Sequence, residues 1–254
     1  MILLNLGCGI KTSDDPNVVN IDWSFLLRMW KNPVLKMVAP LFLDSTRLDR
    51  LKCLPGNIVI HDLASGIPFP DDSVDAVYHS HLLEHLDRSV ALEFMKEVKR
   101  VLKPGGIHRI CVPDFETLCR NYLSHLEAVV NSTRMSSTHD SVVAAIIEQS
   151  VRKEAHGTSL QSPVRRWIEN VLFGDARRRG ETHQWMYDRC NLAHFLAIAG
   201  YENIEARQCG VSGIPDWSRI GLEVDSLGRE YKPESLYMEA MKPPAQTDSH
   251  SEAS

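Results

Sequence analysis

The chain has 254 residues, of which 43% are hydrophobic and 24% are charged, and its formal net charge is -5 at pH 7. This length allows one large domain or two small ones with a buried core. The negative charge gives no electrostatic reason to expect a nucleic-acid partner. No run approaches the roughly 20 apolar residues of a membrane span, so we expect neither a span nor a signal peptide.

The six cysteines are scattered along the chain and include no CxxC pair. They are Cys8, Cys53, Cys111, Cys119, Cys190 and Cys209. This distribution is typical of reduced thiols, and it predicts a cytoplasmic protein without a cysteine-based metal site.

Seven short apolar or β-branched runs that end in turn residues predict strands. They are Ile2–Leu6, Val18–Asp22, Asn57–Asp62, Val74–Ser80, Ile107–Val112, Ile204–Cys209 and Leu236–Met241. Two stretches of helical character, Ser89–Leu102 and Asp188–Ala199, are each followed by residues that end helices. Alternating strands and helices are typical of an α/β fold with a mostly parallel sheet and helices on both faces.

Residues 114–184 interrupt this alternation, because they are polar and only weakly periodic. They are too numerous for an ordinary loop, which predicts a helical insertion or lid after the fifth strand. We therefore expect one domain over residues 1–242 that includes this insertion. The segment 25–55 is expected to hold one or two irregular helices, and residues 243–254 a disordered tail.

Ligands of such sheets bind beyond the carboxyl ends of the strands. Polar or glycine residues follow four predicted strands, at Gly7–Gly9, Asp22, Asp62 and Ser80–His85. Taken singly, the glycine pair also fits a plain tight turn, and Asp22 also fits a helix N-cap. The stretch between Gly9 and Asp22 is shorter than the roughly 20 residues of a dinucleotide fold. We therefore predict that the usual first helix is lost or very short.

The ordered motifs LNLGCG, NID, HDL, IPFPDD, SVDAVY, HLLEHL, VLKPGG and VPD resemble the class I S-adenosylmethionine-dependent methyltransferases, and most closely their type 11 branch. The later stretch GETHQWMYDRCNLAHFLAIAGYENI resembles the same branch. The resemblance covers residues 1–113 and 180–242. It implies a Rossmann-like fold with a seven-stranded, mostly parallel sheet, S-adenosylmethionine as cofactor and S-adenosylhomocysteine as product.

The resemblance also implies a set of cofactor-binding positions. They are Asn5, Gly7, Cys8, Gly9, Asp22, Trp23, Asp62, Leu63, Ser80 and His81. The two glycines are expected near the methionine part of the cofactor, Asp22 at the ribose hydroxyls and the Asp62–Leu63 pair at the adenine. Ser80 and His81 are expected near the sulfonium. Asn5 stands where many relatives have an acid, and Lys11 where many have a third glycine.

The stretch HSHLLEH places His81 and His85 four residues apart, on one face of a predicted helix with Glu84 alongside. Three interpretations compete. His85 forms local hydrogen bonds while the leucines enter the core, or His81 acts as a general base, or the two histidines and Glu84 bind a divalent metal. We assign His81 as the catalytic residue. We predict no metal, because the pattern is not HExxH and no further ligand is evident.

Candidate substrate residues are His85 together with His183, Trp185 and Tyr187 in the stretch ETHQWMYD. This aromatic stretch fits an acceptor pocket, and it equally fits packing of the insertion onto the sheet. The run Arg177–Arg179 fits contact with an anionic acceptor or, more simply, a solvated charge run.

These features predict an enzyme that transfers a methyl group from S-adenosylmethionine to a small-molecule acceptor, at an oxygen of a sugar, glycan precursor or secondary metabolite. The acceptor class rests on analogy with the family. One alternative is a non-catalytic protein of the same fold that binds a partner through the insertion. A nucleotide-sugar or NAD-dependent protein is a second alternative, against which the short glycine-to-acid spacing and VLKPGG argue. The sequence predicts no oligomeric state.

Overall fold

The computed structural model describes residues 1–23, 27–28, 32–38, 48, 58–130, 139–150 and 182–245. Its strands are β1 (Leu3–Leu6), β2 (Val18–Asp22), β3 (Ile58–Ile60), β4 (Val74–Ser80), β5 (Leu102–Pro113), β6 (Glu202–Arg207) and β7 (Ser235–Met241). Its helices are α1 (Pro33–Val38), α2 (Arg88–Val101), α3 (Phe115–Val130), α4 (His139–Gln149), α5 (Arg189–Ile198) and α6 (Trp217–Ile220). Short 3-10 turns, Leu63–Ser65 and Leu83–His85, follow β3 and β4.

The strands form one sheet in the order β3-β2-β1-β4-β5-β7-β6. The pairs among β1 to β5 are parallel, whereas β7 runs antiparallel to both β5 and β6. The predicted Rossmann-like, mostly parallel seven-stranded sheet is therefore confirmed. The chain leaves β1 toward β2 on one side, and β4 lies on the other. A crevice forms beyond the carboxyl ends of strands at such a switch point.

Helices cover both faces of this sheet. On one face α2 and α5 pack on a large core, to which α2 contributes Phe94, Met95 and Val98. On the other face Trp217 and Ile220 of α6 pack on a second core. Burial of these apolar side chains fixes the sheet between two helical layers and leaves the strand ends as the open edge.

The strand β5 begins earlier than the sequence predicted. Leu102 already pairs with Val74, and the amide of Gly105 donates to Lys242 O at 2.9 Å. The helix α2 ends at Val101, just before the run Lys103-Pro104-Gly105-Gly106. This run belongs to β5, so the chain passes from helix to strand without a loop. Tertiary pairing with β4 and β7 thus overrides the turn character of the sequence.

Two of the described helices, α3 and α4, lie inside the predicted insertion 114–184. Residues 131–138 and 151–181, including Arg177–Arg179, lie outside the described residues, as do most of 25–55 and residues 246–254. The division into domain, lid and tail therefore stays a prediction. None of the helices described is long and apolar enough to cross a membrane. The five described cysteines are free.

Two histidines face each other on adjacent strands within the main core. His79 of β4 and His108 of β5 are fully buried, with their Nε2 atoms 3.0 Å apart. Burial lowers the pKa of His79 to about 3 and holds the pKa of His108 well below its ordinary value. The pair is therefore neutral at pH 7, with one Nε2 donating to the other.

We expect this pair to make the fold sensitive to acid. The unfolded chain takes up these protons near pH 6.5, whereas folded His79 does so only near pH 3. The stabilisation is therefore complete above pH 6.5 and is lost as the pH falls toward 3. From pH 7 to pH 5, His79 alone should lower the free energy of unfolding by about 2 kcal/mol.

Urea unfolding at pH 7 and pH 5 checks this expectation. The double variant His79→Leu/His108→Leu should lose this part of the pH dependence, whereas the exposed His194→Leu should keep it. Equal pH dependence in the wild type and the double variant would contradict the assignment.

Candidate active site

A glycine turn joins the ends of β1 and β2. Gly7 and Gly9 have φ values of 61° and 53°, in the left-handed region that favours glycine. A Cβ atom on Gly7 would lie 3.1 Å from Leu82 Cδ1, so the turn also passes close to the segment after β4. The amide of Gly9 donates to Asp22 Oδ2 at 2.8 Å. A hydrogen bond therefore links the glycine turn directly to Asp22, the residue predicted to contact the ribose.

The loop after this turn contains no helix, as the short spacing predicts. The buried side chain of Asn5 donates to Lys11 O and to Asn20 Oδ1, both at 3.0 Å. The same Asn20 oxygen accepts from the amide of Ser13 at 3.2 Å. Asn5 stands where many relatives carry an acid, and here its neutral amide holds the loop that replaces the helix.

The loop is also fixed from a distant part of the chain. Lys11 Nζ donates to Val224 O at 2.5 Å and lies 4.9 Å from the centre of the Tyr231 ring. The hydroxyl of Ser13 donates to Ile220 O at 3.0 Å. Lys11 stands where many relatives have a third glycine, and its side chain here joins the loop 10–17, called the cofactor loop below, to residues 220–231.

The residues beside the glycine turn differ in exposure. Cys8 is buried against Leu27 and Ile58, and burial and the charge of Asp22 raise its pKa to about 12, so the thiol stays protonated. Asp22 itself is buried. Trp23 is largely exposed, with the Arg28 guanidinium 4.2 Å from its ring.

The next strand end carries Asp62 and Leu63. The Asp62 carboxylate accepts from the amide of Ala64 at 3.0 Å and caps the short 3-10 turn, while Leu63 packs partly buried on the main core. The amide of His61 donates to Asp22 O at 3.2 Å, so the β3 end lies beside the β2 end. The predicted ribose and adenine residues are thus neighbours at one edge of the sheet.

The structure corrects one prediction at the end of β4. His81 and His85 do not share a helix face: His81 has a positive φ of 49°, Leu83–His85 is a 3-10 turn, and α2 begins only at Arg88. The reason is strand pairing, because Ser80 still pairs with Cys111 and the amide of His81 donates to Cys111 O at 2.8 Å. The chain must therefore turn sharply at His81 before it can become helical.

Both histidines nevertheless approach Glu84. His81 Nδ1 lies 3.4 Å from Glu84 Oε1, and His85 Nε2 lies 4.0 Å from the same oxygen. Burial raises the pKa of Glu84 to about 8. Burial, followed by nearby positive charges, lowers the pKa of His81 to about 3 and that of His85 to about 4. Both imidazoles are neutral at pH 7.

The stretch that follows the insertion returns to this cluster. The amide of Gln184 donates to Glu84 O at 2.6 Å, and the His183 ring meets the His85 ring edge-on at 4.8 Å between centroids. Trp185 is largely exposed beneath the Arg88 guanidinium. Tyr187 is buried in the main core. Of the predicted substrate residues, His85 and His183 therefore meet, whereas Tyr187 shares the Arg88 guanidinium with Trp185.

Two further residues at the cluster carry no sequence signal. Ser235 Oγ lies 2.9 Å from His81 Nε2, and the charge of Lys232 acts on His81, Glu84 and His85. Ser235 stands 154 positions after His81 and adjoins it only because β7 inserts beside β5. No motif spacing reports such a contact.

Comparisons with known proteins give one family match and several distantly similar structures. Residues 42–110 match a family model described as a methyltransferase domain, of the type 11 branch. No curated protein matches the chain. Solved structures with 14% identity include a possible histamine N-methyltransferase from Thermotoga maritima (TM-score 0.43, 95% of this chain and 82% of that chain). A methyltransferase from Methanosarcina mazei is similar at the same TM-score, 0.43, over 95% of this chain and 92% of that chain, with 14% identity.

With TM-scores below 0.5, these structures give no information about the site. The family match is informative, because it spans the predicted motifs HDL, IPFPDD, SVDAVY, HLLEHL and VLKPGG. It supports the enzyme class and the cofactor predicted from those motifs. By this match, residues 42–110 are similar to the methyltransferase domain of the type 11 branch, the family that the sequence motifs resemble.

Proposed function

We propose that the enzyme transfers the methyl group to an oxygen of a small-molecule acceptor such as a sugar, glycan precursor or secondary metabolite. The observation that supports this most is the order of the strand ends around β1. The glycine turn and Asp22 lie at the ends of β1 and β2, and Ser80 and His81 lie at the end of β4, which pairs with β1 on its other side. A cofactor and an acceptor that enter from opposite sides meet at the end of β4.

The cofactor is proposed to lie along the first three strand ends. Asn5, Gly7, Cys8 and Gly9 would hold the methionine part, and Asp22 would accept from the ribose hydroxyls. Trp23, Asp62 and Leu63 would hold the adenine. The Gly9 amide donates to Asp22 Oδ2 at 2.8 Å, which holds this carboxylate beside the glycine turn.

The acceptor is proposed to lie against His81, His85, His183 and Trp185, with Tyr187 supporting them from the core. S-adenosylmethionine, when bound, would supply an activated methyl group for transfer to the acceptor oxygen, with S-adenosylhomocysteine as the leaving group. The proton leaves the acceptor oxygen for the neutral imidazole of His81, next to Glu84. Because the sulfonium is already activated, the protein supplies mainly positioning. A non-catalytic, partner-binding role is not favoured.

Replacing Asp22 tests the cofactor site. Asp22→Asn keeps an oxygen for the Gly9 amide but removes the charge that the ribose hydroxyls contact. Hydrogen bonds to charged groups contribute about 1.5–3 kcal/mol, so we expect a roughly tenfold or greater loss of affinity for S-adenosylhomocysteine. Isothermal titration calorimetry measures it.

The exposed Asp140→Asn is the matched control and should bind like the wild type. Unchanged affinity in Asp22→Asn would show that the ribose lies elsewhere. Incubation with labelled S-adenosylmethionine and a panel of hydroxyl and amine acceptors then tests the methylated atom. Label found only on amines, or only on protein or nucleic acid, would rule out the proposed O-methylation.

A further inference from the structure

Glu84 carries a buried carboxyl group, which His81 Nδ1 approaches to 3.4 Å without forming a hydrogen bond. It is 1% exposed, and neither of its oxygen atoms has a hydrogen-bond partner among the described residues. A carboxylate removed from water is strongly disfavoured unless a cation or several donors compensate it. The fold therefore presents an unused pair of oxygen ligands at the carboxyl end of β4.

Two histidines complete a set of metal ligands around this carboxylate. Glu84, His85 and His183 each place one ligand atom within 4.8 Å of the ligand atoms of the other two. Two imidazole nitrogens and one carboxylate oxygen suit zinc and similar divalent ions. Bonds of about 2.0–2.2 Å allow two ligands of one ion to lie up to roughly 4 Å apart, so small side-chain rotations close the set.

His85 is already oriented as a ligand. Its Nδ1 atom lies 3.3 Å from Thr182 O, and a carbonyl can only accept a hydrogen bond. Nδ1 therefore carries the proton, and the lone pair of Nε2 is the one directed toward Glu84, 4.0 Å away. Metal-binding histidines are usually held in this way, with the second ring nitrogen donating to a carbonyl or carboxylate.

We propose that Glu84, His85 and His183 bind a divalent cation of the zinc class, with an open coordination position for water or an acceptor atom. Three protein ligands with an open position are typical of catalytic rather than structural zinc sites. The proposal stands on this geometry and does not depend on methyl transfer.

This ligand set differs from the one that the sequence pattern suggested. His81 contacts Ser235 Oγ through Nε2 and does not belong to the ligand set. His183, 98 positions after His85 in the sequence, replaces it as the third ligand. The amides of Gln184 and Trp185 donate to Glu84 O and so hold the segment that carries His183 beside Glu84. The sequence prediction of no metal considered only the HxxEH pattern, whereas the third ligand proposed here comes from outside that pattern.

Metal titration of the full chain tests the proposal. The protein is stripped with a chelator, dialysed and titrated with Zn²⁺ by calorimetry, and with Co²⁺ by visible absorption. We expect one Zn²⁺ per chain and the visible bands of tetrahedral Co²⁺. Glu84→Gln and His183→Ala should each weaken Zn²⁺ binding roughly tenfold or more and abolish the Co²⁺ bands.

The matched control is His125→Ala. His125 and His139 also face each other, with Nδ1 atoms 3.2 Å apart, but they belong to no three-ligand group among the described residues. This variant should keep the wild-type affinity. A wild type that binds no Zn²⁺, or equal binding by all variants, overturns the proposal.

Circular dichroism establishes that each variant is folded. If Glu84→Gln does not fold, the partly exposed His183→Ala decides the question alone. Binding of S-adenosylhomocysteine, measured separately on the same proteins, reports on the methyltransferase site. Loss of metal binding with intact cofactor binding therefore distinguishes this proposal from the proposed function.

Discussion

Replacing Arg109 by methionine should lower the free energy of unfolding by about 3–5 kcal/mol, the range for breaking a buried ion pair by removing one partner. Arg109 lies on β5 and is 0% exposed. Its guanidinium forms a bidentate pair with Glu223, at 2.6 and 2.7 Å, and a further ion pair with Glu239 at 2.8 Å. Its remaining donors reach Val211 O and Gln208 O at 2.8 and 3.1 Å.

The cost is large because the variant leaves the buried Glu223 without its cation and leaves the buried Glu239 only with Arg207, 3.3 Å away. All five N–H donors of Arg109 are used in the native fold, and the rings of Trp217 and Tyr237 lie 5.1 and 5.5 Å from its guanidinium carbon. Methionine fills part of this space but supplies no charge. Adding Glu223→Gln and Glu239→Gln to Arg109→Met should therefore recover part of the lost stability.

Urea unfolding at pH 7 measures these differences. The control is Arg189→Met, which removes an exposed ion pair with Glu116 (2.9 Å) and should cost less than about 1 kcal/mol. A cost for Arg109→Met as small as that of the control would show that the buried network contributes little.

The network also supports the cofactor loop. Arg109 holds Glu223, which lies between Ile220 and Val224, and these two residues supply the carbonyls that accept from Ser13 and Lys11. The Arg109→Met variant, even where it remains folded, should therefore bind S-adenosylhomocysteine more weakly than the wild type. The segment 220–231 therefore holds in place the loop that stands where the first helix would otherwise be.

Local sequence patterns predicted the elements well. Val18–Asp22 and Val74–Ser80 are strands with the predicted bounds, because short β-branched runs between turn residues report strands directly. The predicted helix Asp188–Ala199 is present as α5, and Asp188 caps it by accepting from the amides of Cys190 and Asn191. Each of these features depends only on residues close in sequence.

Contacts between distant residues were not predictable in this way. Arg109 and Glu239 are 130 positions apart, and they meet because β7 pairs antiparallel with β5. The left-handed turn at His81 depends on how far β4 pairs with β5, and the meeting of Glu84 with His183 depends on where the insertion ends. One sequence carries no local signal for such pairings, so the candidate site was only partly predicted.

His81→Asn should lower kcat about 10²-fold, at the lower end of the 10²–10⁴ range for general acid–base catalysis. The effect is at the lower end because burial lowers the pKa of His81 to about 3, which makes it a weak base. Affinity for S-adenosylhomocysteine should change much less than kcat, since the step that suffers is proton removal from the acceptor. Single-turnover kinetics with labelled S-adenosylmethionine measures kcat separately from binding.

The pH profile distinguishes a base from a residue that only positions its neighbours. A general base must be deprotonated, so with a pKa of about 3 the wild type should show no loss of kcat from His81 protonation between pH 8 and pH 5.

Ser235→Ala removes the group 2.9 Å from His81 Nε2 and frees this ring nitrogen to take up a proton or turn toward the acceptor. That variant should change the acidic limb of kcat, while the exposed His194→Asn should leave it unchanged. If His81→Asn retains wild-type kcat, proton removal at this position contributes nothing, and positioning of the activated sulfonium accounts for the reaction.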